Sequence, residues 1–201
     1  MGYFESTVVV YLRELYFPEG FRFPIKFLPM KLSLIEIGRE FSTMMMLLGL
    51  AFVGSKKRWT RFGIFMLCFG VWDIWYYIWL KVMLNWPQSL LTWDLLFLIP
   101  VPWAGPVLAP VLVSLVLIFA GVAIIILEDK NYKIKLFKSE WALVVLSGAI
   151  IFVSFILEAP EVMRLEAPSN YNWFLFWVGE LIGVGVAVNA LRRILATGKS
   201  S

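Results

Sequence analysis

Eight side chains could do chemistry in this sequence, and most of them sit where charge is least expected. Glu36, Glu40, Asp73, Asp94 and Glu180 are carboxylates in or beside long apolar runs, with Arg39, Tyr77 and Lys81 near them along the chain. Carboxylates in such places bind protons, supply oxygen ligands to Mg²⁺ or Ca²⁺, or act as an acid and base pair. Arg39 and Lys81 weaken the metal reading and suit an anionic headgroup instead. A charge inside a membrane span costs about 2.5–3.5 kcal/mol on insertion scales, so each needs a partner, an aqueous cavity or a function. Buried ion pairs that only fix helix packing are the alternative explanation for all of them.

Spacing groups these residues. Glu36, Arg39 and Glu40 fall at i, i+3 and i+4 and share one side of a helix, and Ser33 and Thr43 extend the stripe. Tyr76, Tyr77 and Lys81 follow Asp73 by one and two helical turns. Glu180 is flanked by Gly179 and Gly183, which, with Gly185, read as a close helix-packing face.

Much other chemistry is absent. There is no histidine, which removes histidine-ligated haem, zinc-protease sites and the serine–histidine dyad. No GxSxG, GxxxxGK[ST] or GxGxxG pattern occurs. A single cysteine, Cys68, excludes an intrachain disulfide and a cysteine-ligated iron–sulfur cluster. No haem, zinc or iron–sulfur cofactor is expected, while carboxylate-bound Mg²⁺ or Ca²⁺ stays open.

The elements that must position these groups follow from composition. Of 201 residues, 61% are hydrophobic and 16% charged, too few charges to coat a soluble fold. The coat must be lipid, where backbone groups are satisfied within helices or closed barrels. Unbroken apolar runs favour helices, since barrel strands alternate. The expected fold is all-α: a polytopic bundle of about five spans forming one membrane domain over 1–201. The spans are placed at 32–54, 62–84, 106–127, 141–157 and 173–195. Residues 3–17 read as an interfacial helix with no cleavable leader. The stretch from Pro18 to Pro29 reads as a connector. Pro100, Pro102, Pro106 and Pro110 make 90–105 a half-helix and a re-entrant or interfacial loop.

Basic residues set the orientation. Lys56, Lys57, Arg58 and Arg61 follow the first span, Lys130, Lys133, Lys135 and Lys138 the third, and Arg192, Arg193 and Lys199 the fifth. Five spans place all three groups on one side, which the positive-inside rule makes cytoplasmic. Arg13, Arg22, Lys26, Lys31 and Arg164 take the other side. The amino terminus is then outside and the carboxyl terminus inside, in a plasma membrane of prokaryotic type. At ~1.5 Å per residue from the outer span ends, Glu36 lies ~6 Å deep, Glu40 and Glu180 ~12 Å and Asp73 ~16 Å. All occupy the outer half, and Asp94 would cap the same side. Trp59, Trp86, Trp93, Trp103, Trp141 and Trp173 fall at span ends, where indoles favour the headgroups.

The function expected is a non-catalytic membrane protein, a subunit or accessory component with an outward-facing polar cluster. Membrane lipid is the expected partner, with other membrane subunits or a second copy also open, and no nucleic acid, because the net charge of +4 forms no patch. One alternative is a small carrier or proton/ion-coupled transporter using the intramembrane carboxylates. Another is a lipid-modifying enzyme with carboxylate acid and base.

Overall fold

The computed structural model describes residues 1–21, 23, 28–164, 166, 168 and 170–197. Helix α1 spans Gly2–Tyr16, α2 Met30–Gly54 and α3 Arg58–Leu84. Strands β1 (Trp93–Phe97) and β2 (Trp103–Pro106) follow, then α4 Leu108–Asp129, α5 Lys138–Ile156, the short α6 Ala159–Met163 and α7 Trp173–Thr197. Five of these segments are long and apolar enough to cross a membrane: α2, α3, α4, Lys138–Met163 and α7. They have 22 to 27 residues, against the roughly 20 that a hydrocarbon core requires. Only 17–28% of each apolar window is buried, so most of the apolar surface faces outward, as lipid contact demands. The chain is an integral membrane protein. Arg22, Lys26 and Lys199 lie outside the described residues, as does Pro24 of the expected connector.

The expected spans recur with ends moved by a few residues, and the proline-rich stretch differs more. No half-helix forms there. Residues 93–106 make an antiparallel hairpin pairing Trp93 with Pro106, Asp94 with Gly105 and Leu95 with Ala104, and its register shifts between Leu95 and Phe97. Pro100 and Pro102 cannot serve a helix interior, but both fall in the turn between strands, which demands no ladder donor of them. Pro106 ends β2 instead of opening α4, because a proline at a strand terminus gives up little pairing. The helix therefore starts at Leu108.

The chain divides into two compact units. The first comprises Met1–Met44, Val71–Ser114 and Phe155–Tyr171. Within it α1 touches α3 at several points. Gly2 sits where a Cβ would be 3.1 Å from Trp75 Cβ and 3.2 Å from the Tyr76 amide, so glycine allows the helices to touch. One turn on, Ser6 Oγ donates to the Gly2 and Tyr76 carbonyls at 2.7 and 3.1 Å. Val9 and Val10 then pack on a core of Tyr77, Leu80, Trp86 and Val107. In lipid such contacts gain little from the hydrophobic effect, so close packing and polar bonds hold the helices. Trp86, expected in an aromatic belt, is 9% exposed and belongs to this core.

The second unit comprises Met45–Gly70, Leu115–Ser154 and Asn172–Ser201. Here α5 meets α7 at the expected glycine face. A Cβ on Gly179 would lie 2.7 Å from Ile151 Cγ1, and one on Gly183 2.7 Å from Ser147 Oγ. Ser147 Oγ donates to the Gly179 carbonyl at 2.8 Å. Gly185 differs: nothing lies within 4 Å of its Cβ position, so it takes no part in that contact.

Candidate functional site

The first unit contains seven of the eight expected residues, and six of them are bonded largely through partners that the sequence pattern left out. Helix α1 turns its polar side inward. Glu5, Ser6 and Arg13 are buried, while Phe4, Tyr11 and Leu15 are exposed. Glu5 bonds Thr43 Oγ1 through one carboxylate oxygen and pairs with Arg39 through the other. Arg39 Nε also donates to Glu36 Oε2 at 2.8 Å. One guanidinium thus bridges two carboxylates, one from α1 and one a turn away on α2.

Glu40 does not join that bridge. Both of its carboxylate oxygens accept the Leu98 amide, at 3.1 Å each. Leu98 lies just beyond β1, where a two-stranded hairpin leaves amides unpaired. A buried amide without a partner costs about 1–3 kcal/mol, so this carboxylate completes the backbone pairing. Asp73 accepts from Ser114 Oγ of α4 at 2.8 Å.

Asp94, on β1, is 1% exposed. It accepts Arg13 Nη2 on Oδ1 at 3.3 Å and the Tyr77 hydroxyl on Oδ2 at 3.2 Å. The Arg13 guanidinium lies over the Phe21 ring at 4.1 Å and the Trp86 ring at 3.8 Å. Those stacking faces replace much of its hydration. Burial pushes the Asp94 carboxyl above the ordinary aspartate range, opposed by Arg13, the Leu95 amide and the Tyr77 hydroxyl.

These groups act on one another. Glu36 and Arg39 each sense Glu40, Asp73 senses Asp94, and Tyr76 is in electrostatic reach of Arg13, Arg39, Asp73 and Asp94. Lys81 stands apart. It is exposed, and its ammonium donates to the Pro87 and Asn85 carbonyls at 3.0 and 3.4 Å, closing the end of α3.

Glu180 belongs to the second unit. It is 5% exposed, and its Oε1 has no hydrogen-bond partner among the described residues. Among those residues no three acidic or cysteine side chains converge as metal ligands would. Glu5, Arg13 and Ser114 are the members that sequence reasoning missed. Gly2, Ser6 and Arg13 fall on one side of a helix, and that stripe of small and polar residues was the available signal. No protein-family model, curated protein or solved structure matches this chain.

Proposed function

We propose that the chain is a five-span plasma-membrane protein that binds and exchanges protons through the network of its first unit, as a small proton-coupled carrier does. The charge inventory carries this reading. Among the described residues, Glu5, Glu36, Glu40, Asp73 and Asp94 are set against Arg13 and Arg39 alone. Arg39 is shared by Glu5 and Glu36, and Glu40 and Asp73 have no ion-pair partner among the described residues. In a low-dielectric interior the charged form of such a group is disfavoured, and a proton is the simplest neutraliser. Ion pairing for packing alone calls for a balanced set. That imbalance moves the reading from an accessory subunit toward a proton-linked protein.

The orientation supports access from outside. The basic residues that follow the first, third and fifth spans lie in the cytoplasm by the positive-inside rule. Counted along α2 and α3 from their outer ends, Glu36, Glu40 and Asp73 then belong to the outer half. In this frame α1 inserts into the outer leaflet, its apolar residues toward lipid, and the hairpin of β1 and β2 caps the network. The segment before the first span is then on the outer side and the carboxyl terminus in the cytoplasm.

The test is proton flux into proteoliposomes under an imposed membrane potential. The parent protein should carry protons. Asp73→Asn should fold, keep the Ser114 bond and carry none. Parent-level flux in Asp73→Asn, or no flux in the parent, would overturn the proposal.

A further inference from the structure

A cleft in the second unit, remote in sequence from the carboxylate network, has the lining of a ligand site. It has a volume of about 520 Å³ and is bounded by the connector after α2, the start of α3 and the end of α4. Ligand sites span roughly 300–1,000 Å³. Its lining is polar and basic at Ser55, Lys57, Thr60, Asp129 and Lys130 and apolar at Ile125 and Ile126.

The charges there are unbalanced in favour of an anion. Glu128 is already engaged: its Oε2 accepts the Thr60 hydroxyl at 2.5 Å and also the Thr60 amide, capping the start of α3. Lys57 Nζ donates to the Glu128 carbonyl at 3.4 Å, which leaves two of its three ammonium donors unused among the described residues. Lys130 has no ion-pair partner among the described residues. Ser55 Oγ accepts the Lys57 amide at 3.1 Å, so its own proton is free to be donated. Lys56 of the connector and Arg58 and Arg61 of α3 add positive charge nearby in the chain, and Asp129 is the one acid in the lining.

We propose that this cleft binds the phosphate of an anionic phospholipid. Lys57, Lys130 and Ser55 supply the donors. Ile125 and the exposed Ile126 meet the glycerol and the first acyl carbons. A free phosphate would use the donors but gain nothing from those apolar side chains. The cleft's connector is among the most basic stretches of the chain, and juxtamembrane lysines are drawn to anionic lipid.

The experiment is native mass spectrometry of the detergent-solubilised protein titrated with phosphatidylglycerol, phosphatidylcholine or inorganic phosphate. The parent should retain phosphatidylglycerol in preference to phosphatidylcholine. Lys57→Ala/Lys130→Ala should weaken that retention by about tenfold or more, since each basic residue contributes to anionic-lipid attraction. Asp129→Asn should strengthen it, and this substitution of an exposed residue leaves the helices intact. Lys133→Gln, on the next connector, should leave it unchanged. Equal retention of the two lipids would overturn the proposal, as would parent-like binding by the double variant. So would displacement of phosphatidylglycerol by inorganic phosphate at equal concentration, which would assign the cleft to free phosphate.

Discussion

Arg13 of α1 reaches Asp94 of β1 at 3.3 Å, with their side chains 8% and 2% exposed, although 80 residues separate them in the chain. The bond ties the amino-terminal helix to the hairpin, and Tyr77 of α3 completes the arrangement. A pair buried this deeply is costly to halve. Arg13→Gln should destabilise the protein by about 3–5 kcal/mol, because it leaves a buried carboxylate without its cation. Arg13→Met/Asp94→Leu should recover most of that loss. Unfolding in detergent, followed by tryptophan fluorescence, reads both. Equal stability of parent and Arg13→Gln would mean that the pair holds nothing together.

Asp94 also sets a pH dependence. Its carboxyl is raised in the folded protein, so the folded state binds a proton more readily than the unfolded chain. Stability linked to this group is then present at low pH and is lost as pH rises through the ordinary aspartate value toward the raised one. The stability of the parent relative to Asp94→Asn should fall as the pH is raised above about 4. A difference that grows with pH would reverse the sign and contradict the burial argument.

Glu40 should separate two roles in one side chain. Glu40→Gln keeps an acceptor for the Leu98 amide and removes the titratable group. Glu40→Ala removes both and should cost about 1–3 kcal/mol. Hydrogen exchange at the Leu98 amide should stay slow in Glu40→Gln and become fast in Glu40→Ala. Fast exchange in both would show that the carboxylate charge, and not mere acceptance, secures the hairpin.

Topology has its own check. Cysteines placed at Ser55 and Ser139 in a Cys68→Ala background should both label from the cytoplasmic side only, because the basic connectors remain there. Labelling from opposite sides would break the five-span arrangement and, with it, the outward placement of the network.

The five long helices were legible because an apolar run longer than about 18 residues has few other readings. The stripe of Glu36, Arg39, Glu40 and Thr43 was legible for the same kind of reason, a fixed helical period. What joins the stripe was not. Glu5 and Arg13 sit in a stretch too short and too charged to span, and nothing local says that α1 faces its charges inward along α3. The hairpin was hidden too. Its prolines announced a broken helix, but strand pairing between Trp93 and Pro106 depends on contacts across the turn. Lys81 read as a partner for Asp73 by helical spacing, yet the carbonyls of Asn85 and Pro87 beyond the helix end take its donors.

The central claim is that the carboxylates left without cations hold protons. Infrared spectroscopy of the purified protein across a pH series tests it most directly, because protonated and ionised carboxyls absorb in separate bands. The account predicts a protonated-carboxyl band that persists to neutral pH in the parent and loses intensity in both Asp73→Asn and Glu40→Gln, with the helical amide signal unchanged. A folded parent protein with no such band at neutral pH would contradict it.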